Sequence, residues 1–143
     1  MQSRSHSRFF APLLGASVTI AVSAVLGTAS FNAQAWAIAG SGVSFAEAYS
    51  LVPRNLLYLP LYFATPIAAG VLGGVVAAKL SDGRPYRDAL ISALLVLCWS
   101  VILLASPLNE VRLSMAIALV SFALPVPCAL IGAFLVQRRP HDG

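Results

Sequence analysis

The sequence predicts an all-α integral membrane protein, a four-transmembrane-helix antiparallel bundle with both termini in the cytoplasm (N-in, C-in). Three observations lead to this prediction. Of the 143 residues, 59% are hydrophobic and only 10% are charged, whereas soluble domains carry about 25% charged residues. Four windows of about 20 residues contain no Asp, Glu, Lys, Arg or His. The lysines and arginines gather on one side of those windows.

The four windows cover residues 9–30, 56–78, 89–108 and 113–136. At about 1.5 Å per residue, each is long enough to cross a hydrocarbon core roughly 30 Å thick. Lipid tolerates no unpaired backbone groups, and four such long segments do not make a closed barrel, so each span is predicted to be a helix. Residues 1–143 then form a single membrane domain.

The first span, 9–30, has an alternative interpretation as a cleaved signal peptide. Arg4 and Arg8 resemble a basic leader, and Ala33-Gln34-Ala35 has the form of a cleavage site. The span is longer than the roughly 7 to 15 apolar residues of a typical signal, which favours an uncleaved helix. Cleavage would leave three helices and an external N-terminus.

An outer loop is predicted over residues 31–55, with a short interfacial helix at 45–52. Ser44 and Glu47 have the spacing of a capping box, and Pro53 stops the helix. Apolar residues recur with helical spacing on one face, as in helices that lie on membrane surfaces. That face consists of Phe45, Ala48, Tyr49 and Val52.

The same outer side carries charges and aromatic rings that form a candidate docking patch for a partner or a lipid headgroup. Its members are Trp36, Glu47, Arg54, Glu110 and Arg112. The simpler interpretation is a set of solvated loop charges, with Trp36 and nearby tyrosines anchoring the chain at the headgroup level.

The second span, 56–78, carries small residues at steps of three and four that let two helix backbones approach closely. They are Gly70, Gly73, Gly74 and Ala77. This stripe is predicted to pack within the bundle or, as the alternative, to form a dimer interface.

Prolines interrupt two of the spans and are predicted to kink them, because each leaves a carbonyl without its usual donor. They are Pro60, Pro66, Pro125 and Pro127. Broken helices near the membrane midplane coordinate ions in some transporters, but simple kinks satisfied by neighbouring groups are the favoured interpretation.

A cytoplasmic turn at 79–88 links the second and third spans, with Gly83 suited to positive φ and Pro85 to the first turn of the next helix. A short link around Asn109 joins the third span to the fourth, and a basic tail covers 137–143. With these short links, consecutive helices are antiparallel neighbours.

Orientation follows from the basic residues, which stay on the cytoplasmic side. Only Arg54 and Arg112 fall on the outer side. The cytoplasmic side has Arg4, Arg8, Lys79, Arg84, Arg87, Arg138 and Arg139. This asymmetry predicts a bacterial cytoplasmic (inner) membrane protein in contact with the lipid bilayer. The scattered basic residues do not form a nucleic-acid-binding patch.

Residues for known chemistry are scarce in the spans. Intramembrane charges that mark proton relays are missing, and His6 and His141 lie in the tails, so no cofactor, metal centre or enzymatic activity is predicted. Cys98 and Cys128 lie in helices expected to be neighbours and could meet as a thiol pair, although two small core residues are the favoured interpretation.

The leading functional hypothesis is therefore a non-enzymatic accessory or assembly subunit, or a small homo-oligomer, acting through a membrane protein partner. The alternative is a small-solute or ion channel or transporter formed by dimerisation along the Gly70 stripe. A thiol protein using Cys98 and Cys128 is a third hypothesis.

Overall fold

The computed structural model describes residues 9–104 and 115–138, and within them the chain is helical with no strand. The helices are α1 (Phe10–Ala39), α2 (Phe45–Leu51), α3 (Tyr58–Lys79), α4 (Pro85–Leu104), α5 (Met115–Ala123) and α6 (Pro125–Gln137). A 3-10 turn, Val52–Arg54, follows α2. The predicted link around Asn109, with Glu110 and Arg112, lies outside the described residues, as do Arg4, Arg8 and the end of the tail.

Within the described residues, four helical segments are long and apolar enough to cross a membrane. They are Phe10–Ala39, Tyr58–Lys79, Pro85–Leu103 and Ile117–Gln137. The predicted all-α chain with four membrane spans is confirmed at this level.

The first helix is longer than predicted, since α1 continues from residue 30 to Ala39. Residues 31–39 contain no glycine or proline and four alanines, so nothing in their local chemistry ends the helix. Gly40 follows it, and its N–H donates to the Trp36 carbonyl at 3.0 Å. The outer loop therefore begins about nine residues later than predicted, and the candidate cleavage sequence Ala33-Gln34-Ala35 lies inside α1.

The predicted short helix is present as α2, and the Ser44 half of its capping box is confirmed: the Ser44 side chain accepts from the Glu47 N–H at 3.3 Å. Two members of its apolar face, Ala48 and Val52, are fully buried. The buried pair faces the protein, because α2 and the 3-10 turn pack against α1. The helix is thus fixed to the bundle along its apolar side.

The link between α3 and α4 is tighter than the predicted 79–88, since α4 already begins at Pro85. Gly83 adopts φ of +82°, a conformation that favours glycine. Asp88, in the first turn of α4, accepts hydrogen bonds from Ser81 Oγ at 2.6 Å and from Arg87 at 3.1 and 3.2 Å. A buried carboxylate therefore holds the turn together.

The prolines behave differently from one another. Pro125 separates α5 from α6 at Leu124, as expected for a residue without an N–H, and Pro66 lies in the interior of α3. Pro60 is the third residue of α3, within its first turn, where a missing N–H removes no intrahelical bond. The sequence argument for a kink, a carbonyl left without its donor inside the helix, therefore does not apply at Pro60.

The helices contact one another mainly through alanine and glycine residues. Helix α3 packs against α1, α4 and α6, and α4 also packs against α1 and α6. The main buried cluster is composed of Ala77, Ala78, Ala89, Ala93, Ala129 and Ala133. Small side chains bring the backbones close, so van der Waals contact between helices holds this part of the bundle.

Candidate functional site

The predicted small-residue stripe lies inside the chain, between α1 and α6. On the α1 side, a methyl group added at Gly73 would overlap Thr19 and lie 2.6 Å from the Gly15 carbonyl oxygen. Thr19 Oγ1 donates to that same carbonyl at 3.0 Å. Ala77 is fully buried and would lie 2.7 Å from a methyl group at Gly15.

The other side of the stripe faces α6. A methyl group at Gly74 would lie 2.5 Å from Ala129 Cα, and one at Gly70 would lie 3.0 Å from Cys128 Cβ. Of the two sequence interpretations, packing within the bundle is the one the structure contains. All four residues of the stripe are buried by the chain's own helices.

Packing loosens away from the α3–α4 turn. Between Ile20 and Ala33, no residue of α1 is buried, and the same holds for α3 between Leu59 and Ala68. The two helices meet again beside α2, where Ala35, Val52 and Tyr58 form a buried cluster. A gap is left between these contacts.

A cavity of about 120 Å³ lies in this gap. Its lining comes from two helical faces: positions i, i+3, i+4 and i+7 of α1, and positions i, i+4 and i+7 of α3. The residues are Gly27, Ser30, Phe31, Gln34, Tyr58, Tyr62 and Thr65. Seven residues of helix rise roughly 10 Å, so the cavity extends about that far along both helices.

Gln34 is the most unusual residue of the lining, since it is 6% exposed and only half of its amide is paired. Its Nε2 donates to the Ser30 carbonyl at 3.4 Å, while Oε1 has no hydrogen-bond partner. Buried acceptors without a partner are rare in folded proteins. Among residues 9–104 and 115–138, this oxygen is the one buried side-chain polar atom left without a partner.

Three of the four hydroxyls in the lining are already engaged. Ser30 Oγ donates to the Gly27 carbonyl at 3.0 Å, and Thr65 Oγ1 donates to the Leu61 carbonyl at 3.0 Å. Tyr62 shares a hydrogen bond of 3.2 Å with Ser121 of α5. Tyr58 carries the fourth hydroxyl, and no hydrogen bond joins it to Gln34 Oε1, so this oxygen lacks a donor among the described residues.

Seven aromatic rings form a continuous chain beside the cavity, with neighbouring ring centroids 4.5 to 6.2 Å apart. In spatial order they are Trp36, Phe45, Tyr49, Phe31, Tyr58, Tyr62 and Phe63. Such distances favour edge and offset ring contacts. The aromatic chain connects α2 to the walls of the cavity.

Three of the five residues of the candidate docking patch lie within the described residues. Trp36 is 69% exposed and contacts the Phe45 ring at 5.1 Å, while Glu47 and Arg54 are exposed and form no ion pair with each other. Glu110 and Arg112 lie outside the described residues. The structure thus joins Trp36 to α2 and leaves the two described charges facing outward.

The two cysteines do not form a pair. Both are free thiols, with Cys98 exposed on α4 and Cys128 buried in α6 against Gly70. Across residues 9–104 and 115–138, no three His, Cys, Asp or Glu side chains lie close enough together to hold a metal ion.

The sequence prediction of a loop over residues 31–55 does not reveal the cavity, because Gln34 lines it from within a helix. A signal was nevertheless present: polar and small residues repeat at helical spacing from Gly27 to Gln34, and Tyr58, Tyr62 and Thr65 match them on the next span. Comparison of the chain with protein families, curated proteins and solved structures finds no match.

Proposed function

We propose that this chain is an N-in, C-in, antiparallel four-span protein of a bacterial cytoplasmic membrane. Contacts between Gly15 and Ala77, and between Phe31 and Tyr58, support opposite directions for α1 and α3. Lys79, Arg84 and Arg87 lie at the α3–α4 turn, and Arg138 follows α6. Basic residues on one side of the membrane favour its cytoplasmic face.

Cysteine accessibility tests this orientation. In a background with Cys98→Ser and Cys128→Ala, we expect a membrane-impermeant maleimide to label Ser41→Cys in intact cells and Tyr86→Cys only after lysis. Ser41 and Tyr86 are both exposed, and replacing them leaves every basic residue in place. Labelling of Tyr86→Cys but not Ser41→Cys in intact cells would reverse the orientation.

The function we propose is non-enzymatic: the protein acts by contact with another membrane protein, as an accessory or assembly subunit or, in its simplest form, as a homo-oligomer. The observation that supports it is the outward face of α1. There, Ser17, Ala21, Ala24 and Thr28 are all exposed. Small and hydroxyl side chains at this spacing are typical of surfaces where a second membrane helix packs.

Other outward faces differ in a way that strengthens the proposal. On α4 and α6 most of the exposed residues are large and apolar, as suits contact with lipid chains; examples are Leu90, Leu94, Leu95, Trp99, Ile131, Phe134 and Leu135. Helix α1 also has no buried residue between Ile20 and Ala33, so the described chain covers this stretch incompletely. Both features favour a helix from another chain on this face.

Native mass spectrometry of the protein extracted gently from its own membrane tests the proposal. We expect a stoichiometric second chain, and we expect the double variant Ala21→Leu with Ala24→Leu to lose it because the larger side chains separate the two helices. Ala29→Leu is the matched control, since Ala29 is also exposed on α1 but points to another side of the helix.

A protein that remains a single chain in this experiment, or a complex that survives the double variant as well as it survives Ala29→Leu, would contradict the proposed contact. The mass of the second chain separates a partner from another copy. The same spectrum reports whether the chain has been cleaved after Ala35.

A further inference from the structure

We propose that the cavity between α1 and α3 binds a neutral, phenol-type ring whose hydroxyl group donates a hydrogen bond to Gln34. This inference concerns a small-molecule site and stands apart from the partner surface on α1. It depends on the unpaired oxygen of Gln34, the size of the cavity, and the aromatic, uncharged character of its lining.

The hydrogen-bonding pattern defines what the ligand must supply. If the two ends of the Gln34 amide were exchanged, an oxygen would face the Ser30 carbonyl, so the nitrogen belongs on that side and the oxygen is the unpaired atom. Ser30 and Thr65 already donate to backbone carbonyls. The last torsion of a glutamine side chain is soft, so the oxygen can turn towards a donor in the cavity at the cost of the long 3.4 Å bond from Nε2 to the Ser30 carbonyl.

Size and lining define the rest of the ligand. An apolar protein cavity of about 150 Å³ takes up benzene, and this cavity of about 120 Å³ is partly open, so a single six-membered ring is the matching unit. Phe31, Tyr58 and Tyr62 supply aromatic walls. No lining residue that the structure describes is charged, and ions bind poorly in such surroundings.

The route of entry agrees with a lipophilic ligand. Beside α2 the cavity meets the buried cluster of Ala35, Val52 and Tyr58, which closes that end. At its other end the cavity is lined by Gly27 and Thr65, in the part of α1 and α3 that has no buried residues. A ring arriving from the lipid would meet Gly27 and Thr65 first and place its hydroxyl near Gln34.

Fluorine NMR with a matched pair of probes tests the proposal. The purified protein in nanodiscs is titrated with 4-fluorophenol and, separately, with 4-fluoroanisole, in which a methyl group replaces the donated proton. We expect saturable binding of 4-fluorophenol, with roughly five- to tenfold weaker binding of 4-fluoroanisole, as the loss of one neutral hydrogen bond predicts. Partition into the bilayer alone does not saturate.

Two variants locate the site. Gln34→Leu should lower the affinity for 4-fluorophenol to that for 4-fluoroanisole, and the affinity for 4-fluoroanisole should stay unchanged. Gly27→Leu should abolish binding of both probes, because Gly27 lines the cavity and a leucine side chain there would fill it. The fold should tolerate this change, since the first side-chain carbon at Gly27 meets nothing within 4 Å. Ala29→Leu, on the exposed side of α1, should bind both probes like the parent protein.

Three results would overturn the inference: no saturable binding of 4-fluorophenol, which would leave water as the natural occupant; equal binding of the two probes by the parent protein; or binding that survives Gly27→Leu. Because the comparison of probes uses the unaltered protein, it decides the role of the donated proton even if Gln34→Leu does not fold.

Discussion

Replacing Gly74 with leucine is expected to separate α3 from α6 and lower the free energy of unfolding by about 3 kcal/mol or more, the upper range for overpacking a core. The reason is the nature of the obstacle. A first side-chain carbon at Gly74 would overlap the Ala129 carbonyl oxygen and lie 2.5 Å from Ala129 Cα. Backbone atoms cannot rotate away as a side chain can, so the two helices must move apart.

Unfolding of the purified protein by titration with SDS in mixed micelles, followed by circular dichroism, measures this loss. The matched control is Gly27→Ala, where the added carbon meets nothing within 4 Å. Alanine favours a helix over glycine by about 1 kcal/mol, so the control should be neutral or more stable. If Gly74→Leu and the parent protein have the same SDS midpoint of unfolding, α3 and α6 do not pack closely at Gly74.

The small-residue stripe shows how far sequence reasoning reaches. The spacing of Gly70, Gly73, Gly74 and Ala77 predicted close helix packing, and these residues do lie at helix contacts. Sequence did not identify the partners, because successive helical residues point about 100° apart. Gly73 therefore faces α1 while Gly74 faces α6, and what looked like one stripe serves two interfaces.

The length of α1 shows a different limit. Charge-free windows end where hydrophobicity falls, but a helix ends where its backbone pairing ends, at Gly40. The nine additional residues include Gln34, which is polar and buried at once. Assigning this stretch to a loop concealed the cavity, since the relation of Gln34 to Tyr58 and Tyr62 appears only when both segments are helical.

The surface assigned to partner contact could not be identified from sequence for a related reason. Ser17, Ala21, Ala24 and Thr28 have the same kind of spacing as the stripe on α3, yet they face outward whereas that stripe is buried. Only the packing of the other helices separates the two. Small residues predict that a helix packs closely, and the fold determines whether the partner lies inside or outside the chain.

Replacing Asp88 with alanine is expected to lower the free energy of unfolding by about 2 kcal/mol, within the range for hydrogen bonds to a charged group. Asp88 is 3% exposed and accepts from Ser81 Oγ and from two nitrogens of Arg87. It also lies in the first turn of α4, where a negative charge is favourable. Glu47→Ala is the control: this exposed carboxylate occupies the first turn of α2.

Comparison with Arg87→Ala separates the contributions to the Asp88 effect. The Arg87 side chain is 46% exposed, so solvent weakens the ion pair, and its removal should cost about 0.5 kcal/mol. A much larger loss for Asp88→Ala in the same SDS titration would assign most of the carboxylate's contribution to Ser81 and the helix terminus. Equal losses would assign it to the ion pair. A loss no greater than that of Glu47→Ala would mean that the α3–α4 turn is held by its backbone alone.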